Sequence, residues 1–267
     1  MISGTTIIKD GLKGGYPFIE AILALLPICD EFIVFNDSFD GTTEVLEVMQ
    51  ERYPKIKIVN EFWPVNIFSS NVLSWATNKS FEVASGEWLV HCQADEVFTE
   101  KAVTRLKDCI EGNLADAFMV NRRQTGPNFQ SWNGPPHSLI RAGRKGLIRS
   151  IGDALMIHSI NNNYIHIEPD IDVIHMFDVT RTFVSNFAGK SDNHANIWWT
   201  NENRNAGGWW GKTPEQWSDQ IEKWELEGYP EEYTRTTSPY YDLLPDSLKF
   251  WVGKTEWYPR KDLVLNV

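Results

Sequence analysis

The chain has 267 residues with 36 Asp and Glu against 25 Lys and Arg, a formal net charge of −11, and no apolar run near the ~20 residues that span a membrane. That balance excludes a nucleic-acid backbone or an anionic membrane surface as the main partner, with only a local basic patch at Arg141, Arg144, Lys145 and Arg149 against it. The three cysteines, Cys29, Cys92 and Cys109, lack metal-ligand spacing, and no signal peptide opens the chain, which predicts reduced, buried thiols in a cytoplasmic protein.

Thr5 to Ile8 is a short β-rich run closed by Lys9-Asp10-Gly11, and Tyr16 to Leu26 then carries apolar residues at helical spacing until Pro27 stops it. Glu31 to Phe35 reads as a second strand. It ends in a polar loop, Asn36 to Thr42, whose Asp40-Gly41 makes a tight exit into a helix over Thr43 to Tyr53. Ile56 to Val59 gives a third strand, and Asn66 to Ser85 a loop leading into a helix. The run Trp88 to Cys92 is a buried strand that stops abruptly at Gln93-Ala94-Asp95-Glu96. Strands alternating with helices predict parallel crossovers and a doubly wound, mostly parallel α/β sheet, in which ligands bind at the carboxyl ends of the strands.

Thr99 to Ile110 is an amphipathic helix, and Ala117 to Val120 a strand ending in Asn121-Arg122-Arg123. From Gln124 to Pro136, Gly, Pro, Asn and Ser dominate around Phe129 and Trp132; a long loop of that kind is functional or disordered. The Trp132 ring is a flat apolar face on which sugar C–H groups can stack, and packing onto the domain is its other use. His137 to Arg141, Gly146 to Ile148 and Ile151 to Ala154 follow, then Ile171 to His175, which alternates like a strand. The last third holds eight tryptophans from Trp198 to Trp257, with Trp217, Ile221 and Trp224 on one side of a helix over Pro214 to Glu227.

The Gly86 to Phe98 run resembles the strand and metal-binding signature of the GT-A glycosyltransferases, the family 2-like sugar transferases in particular. Its Gln93-Ala94-Asp95-Glu96 is a Gln-x-Asp-Glu variant of their Asp-x-Asp. The loop Asn36 to Thr42 resembles their Asp-x-Ser-x-Asp-Gly-Thr turn, one residue shorter, so that either Asn36 or Asp37 faces the nucleotide base. The resemblance implies a GT-A type Rossmann-like fold and transfer of a sugar from a nucleotide-diphosphate sugar to a hydroxyl on a glycan or lipid-linked glycan, inverting and dependent on Mn²⁺ or Mg²⁺. It implies Asp95 and His175 as metal ligands, His175 opening a run similar to the His-Tyr-Gly-x-x-Arg of the relatives. It places Asn36, Asp37, Asn78 and Gln93 at the nucleotide, and the end of the neighbouring first strand, Lys9-Asp10, is expected to form the other wall of the same crevice. Arg141, on a strand followed by Gly152-Asp153-Ala154, looks like the acceptor-side segment of the Gln-x-Asp-Glu transferases, with Trp132 beside the acceptor.

An inverting transferase needs one carboxylate within reach of the acceptor hydroxyl. Asp153 is the first candidate, with Asp170, Asp172 and Asp178 as alternatives. Arg181 and Lys190 are the cations available for the diphosphate. The expected organisation is a catalytic domain over 1–190, its nucleotide-sugar half 1–123 and its acceptor half 124–190, with a helical, aromatic-rich extension over 191–267. A membrane-bound acceptor would be met by peripheral contact. Two other classes stay open at this point: a nucleotidyltransferase on a similar sheet, for which Lys9 to Gly15 has a little of the phosphate-loop character, and a noncatalytic glycan-binding module.

Overall fold

The computed structural model describes residues 1–12, 15–64, 70–124, 136–152, 156–160 and 165–175. The strands are β1 (Ile2–Ile8), β2 (Glu31–Asn36), β3 (Ile56–Asn60), β4 (Trp88–His91), β5 (Glu96–Phe98), β6 (Ala117–Gln124), β7 (His137–Arg144), β8 (Ile148–Ile151), β9 (Met156–Ser159) and β10 (Ile165–His175). The helices are α1 (Phe18–Leu25), α2 (Thr42–Arg52), α3 (Ser70–Val83) and α4 (Glu100–Glu111). Each of the strands and helices expected up to Ile110 is present. The Thr99 hydroxyl accepts from the Ala102 N–H at 3.1 Å and caps α4. Gly41, at φ 91°, precedes α2 in a conformation that excludes a Cβ-bearing residue at low cost. The expected helical extension over 191–267, with its tryptophans, lies outside the described residues.

The main sheet has eight strands in the order β3-β2-β1-β4-β7-β6-β10-β5. Pairings β2 with β3, β1 with β2, β1 with β4, and β6 with β10 are parallel, whereas β7 and β5 run against their neighbours. The chain therefore builds outward from β1 to β3 and then returns to the other side of β1 with β4. That reversal makes a switch point between β1 and β4, where an open sheet leaves a crevice at its carboxyl edge. The carboxyl ends of β1, β2, β4, β6 and β10 all open on this edge.

Alternation along the strands gives the two faces different cores. Phe32 and Val34 of β2 pack with α1, α2 and α4 through Phe18, Ile22, Leu46, Met49 and Leu106. Ile33 and Phe35 face the opposite way, toward α3 and the β8–β9 hairpin, through Val72, Ala76, Phe81, Ile148 and Ile157. Phe18, Phe32, Phe35, Phe98 and Phe118 are fully buried; burying such a side chain contributes about 1.5–3 kcal/mol. The three cysteines are free and buried. Burial pushes the Cys29 thiol up to about 12 and raises that of Cys92 well above its usual range.

His91, in the middle of this core, is fully buried with Nδ1 3.0 Å from the Thr5 hydroxyl and its ring edge-on to Phe81. Burial, reinforced by the charge of Arg141, pushes the imidazole down from 6.5 to about 3. The folded protein therefore keeps His91 neutral while the unfolded chain takes up a proton below pH 6.5, so stability falls as pH drops from 6.5 toward 3. Between pH 6.5 and 4.5 this amounts to about 2–3 kcal/mol. Denaturant unfolding of wild type and His91→Gln across that window checks it: the slope should flatten in the variant, and parallel curves would remove His91 as its source.

Candidate active site

Two clusters lie at the carboxyl edge, one on each side of the switch point. The first joins the ends of β1 and β2. Lys9 Nζ donates to Asp37 Oδ2 at 2.5 Å, and the Trp63 N–H donates to the same oxygen at 3.1 Å. Asp10, at φ 48°, donates its N–H to the Ser38 hydroxyl at 2.8 Å and accepts from the Phe39 N–H at 2.8 Å. The Lys9 ammonium also lies 5.6 Å from the Phe39 ring centre and 5.8 Å from that of Trp63. Lys9, Asp10 and Asp37 thus come together at the ends of β1 and β2. Phe39 and Phe62, both well exposed, stack beside them with centroids 5.8 Å apart.

Asn36, one of the two residues left open for the base, is hydrogen-bonded within the sheet. Its side chain turns into the sheet, donating to the Thr43 hydroxyl at 2.9 Å and to Asn60 Oδ1 at 2.8 Å, so both amide hydrogens tie β2 to α2 and β3. Asn78 likewise serves the backbone. Its Nδ2 donates to the Ser150 carbonyl at 3.0 Å and its Oδ1 accepts from the Ser150 N–H at 2.8 Å. That double clamp fixes β8 just before Gly152, whose φ of 71° suits glycine and starts the turn into residue 153. Asp153 itself, Trp132, Arg181 and Lys190 lie outside the described residues.

The second cluster is built on the turn after β4. The Glu96 N–H donates to the Gln93 carbonyl at 3.0 Å, and the Gln93 N–H donates to Glu96 Oε2 at 3.1 Å, closing the Gln-x-Asp-Glu turn twice. Asp95 then projects toward His175 on β10, with Oδ2 3.3 Å from Nε2. The pairing of β5 with β10, which sets His175 opposite Glu96, holds this approach in register. A carboxylate and an imidazole this close suit adjacent positions on one Mn²⁺ or Mg²⁺ ion, and the donor set matches the preference of Mn²⁺ for oxygen and nitrogen. The described residues contain no group of three such ligands.

Beneath Asp95 lies a buried charge network that the sequence did not announce. Glu96, fully buried, accepts from Arg141 Nε at 2.8 Å and Nη2 at 2.7 Å, and from Arg122 Nε at 3.1 Å. Burial pushes the Glu96 carboxyl up, but Arg141, then Arg122 and His175, pull it further down, to about 2. Arg141 is itself fully buried. Its guanidinium is engaged with Glu96, because a buried carboxylate at a strand end needs a bidentate cation. Among the alternative bases, Asp172 is engaged by Arg123 Nε at 2.7 Å. Arg122 and Glu96 were missed as site residues, although Phe118, Val120 and Arg122 share one face by alternation and so place a charge in line with the core.

The sequence profile of glycosyl transferase family 2 matches residues 16–174. A comparison with curated proteins gives no match. Among solved structures, S. aureus TarS is similar at TM-score 0.49 and 14% identity over 92% of this chain and 46% of that chain. TarS 1-349 in complex with UDP gives TM-score 0.50 at 12% identity, covering 93% of this chain and 76% of that one. The same TarS segment with UDP-GlcNAc gives 0.48 at 12%, over 93% and 77%. Likeness at these identities is likeness of fold, and the chain spans less than half of the longer TarS chain.

Proposed function

From a chain that belongs to glycosyl transferase family 2, we propose an inverting transfer of sugar from a nucleotide-diphosphate donor to a hydroxyl on a glycan or lipid-linked glycan. The observation that carries this reading is the placement of Lys9–Asp37 and Asp95–His175 on one edge of the sheet, to either side of the switch point, where an open sheet binds nucleotides. Asp37 and the Lys9-Asp10 backbone form the walls for base and ribose. Asp95 and His175 would hold the divalent cation, Mn²⁺ or Mg²⁺, which when bound would supply charge stabilisation to a departing diphosphate. Arg181 and Lys190 add positive charge there, Trp132 offers a stacking face to the acceptor, and Asp153 removes the proton of the attacking hydroxyl.

Thermal unfolding with a panel of nucleoside diphosphates and nucleotide sugars, with and without Mn²⁺, tests the reading. UDP leads the panel because the structural neighbour TarS 1-349 is in complex with it. A native-state ligand at 100 times its Kd stabilises by about 2.7 kcal/mol, which for a chain of this size raises Tm by ~5–10 °C. Asp95→Ala should abolish the Mn²⁺-dependent part of that rise. A panel in which no nucleotide moves Tm, with or without metal, would remove the donor site from this edge.

A further inference from the structure

The buried network under Asp95 contains one carboxylate and two guanidinium groups, and the two arginines do not share it equally. Arg141 takes both oxygens of Glu96 in a fork, Nε on Oε2 and Nη2 on Oε1, and is fully enclosed. Arg122 reaches Glu96 through Nε alone, at 3.1 Å. Its terminal nitrogens make no hydrogen bond or ion pair to any of the described residues, although the residue is only 9% exposed. Among the described residues the Arg122 guanidinium is therefore hydrogen-bonded on one side only, with Asp95 as the other nearby negative charge.

The fold says where that guanidinium lies. Arg122 sits near the carboxyl end of β6, opposite Val173 on β10 and His137 on β7, on the same edge of the sheet as Asp95 and His175. Burial lowers its pKa, and the charges of Glu96 and Asp95 act in the other direction, so Arg122 lies within the field of Asp95. A guanidinium stays charged at any ordinary pH, so desolvation does not silence it. With Nε tied to Glu96, the terminal nitrogens are pre-oriented donors that match the oxygens of a phosphate. A guanidinium bonded through Nε alone among the described residues, at the same sheet edge as the candidate metal pair, has terminal donors to offer an oxyanion.

We propose that Arg122 binds the β-phosphate of the nucleotide-sugar donor, alongside the cation held by Asp95 and His175. This rests on the donor reading above and adds to it a protein cation that faces the leaving group from inside the sheet. It also accounts for a site that tolerates Gln93 in place of a first acid, because Arg122 supplies part of the charge that a more tightly held metal would bring. As the bond from the anomeric carbon to the β-phosphate oxygen breaks, its electron pair stays on that oxygen, within reach of the Arg122 fork.

Calorimetry with UDP and UMP, in Mn²⁺ and in EDTA, tests it, with the GDP–GMP and dTDP–dTMP pairs standing in where uridine nucleotides do not bind. Arg122→Met should weaken the diphosphate at least tenfold and the monophosphate less than twofold, and the difference should persist in EDTA. Arg122→Lys keeps a cation for Glu96 if the methionine variant fails to fold, and it too should lose diphosphate affinity selectively. Equal weakening of diphosphate and monophosphate, or no change in either, would overturn the role of Arg122 and leave the donor reading standing. Failure of the wild type to bind any of these nucleotides would overturn both.

Discussion

Glu96→Ala should cost about 3–5 kcal/mol of folding stability, because it removes the buried carboxylate that Arg141 forks and Arg122 touches. Against a total of about 5–15 kcal/mol for a domain, that is a large fraction, and Tm should fall by roughly 10 °C or more. Glu96→Gln preserves shape but not charge and should fall between the two. Arg141→Met in the Glu96→Ala background should restore part of the loss, since it removes the buried cation as well as its carboxylate. Chemical denaturation of the four proteins provides the comparison. A Glu96→Ala midpoint within experimental error of wild type would mean that water reaches the network and the charges are not confined as the burial indicates.

Asp153→Asn is expected to reduce transfer by ~10²- to 10⁴-fold, the usual worth of a positioned general base, while leaving donor binding unchanged. Asparagine has the shape and hydrogen-bonding capacity of aspartate but cannot accept the proton of the incoming hydroxyl. The chain entering this position is held by the two Asn78–Ser150 hydrogen bonds and by the left-handed turn at Gly152. Asn78→Ala should therefore lower turnover as well, through loss of position rather than of chemistry. Turnover and donor affinity measured side by side separate the outcomes. Wild-type turnover in Asp153→Asn would return the role to Asp172 or Asp178, and lost donor affinity would make Asp153 a donor-site group.

The parts of this fold that a sequence reader can see are those whose cause is local. β1, β2 and β4 show as apolar runs closed by turn residues, and the Asp40-Gly41-Thr42 exit shows because only a few residue types fit it. β5 did not show, since three residues that begin with a glutamate carry no periodicity; what makes them a strand is pairing with β10, some 75 residues away in the chain. β6 and β10 extend beyond the runs that suggested them for the same reason. The site divides along the same line. Asp95 and His175 were legible as residue types at strand ends, whereas the fate of Arg141 and Arg122 depends on Glu96, 45 and 26 positions away. Asn36 and Asp37 are neighbours of similar shape, and which one turns into the sheet depends on partners distant in sequence: Asn60 for the amide, Lys9 and Trp63 for the carboxylate.

The enclosure of Cys29, Cys92 and Cys109 has a practical side. Thiol-directed dyes react with the thiolate, and in this protein every native thiol is shut away in the core. A cysteine introduced at the exposed Phe39, as Phe39→Cys, would then be the one sulfur that a maleimide reaches without unfolding, with no background to engineer away. A fluorophore attached there would stand at the lip of the β1–β2 crevice, next to Lys9 and Asp37. The native protein would serve as its own unlabelled blank, and the arrival of a donor could be followed as a change in light.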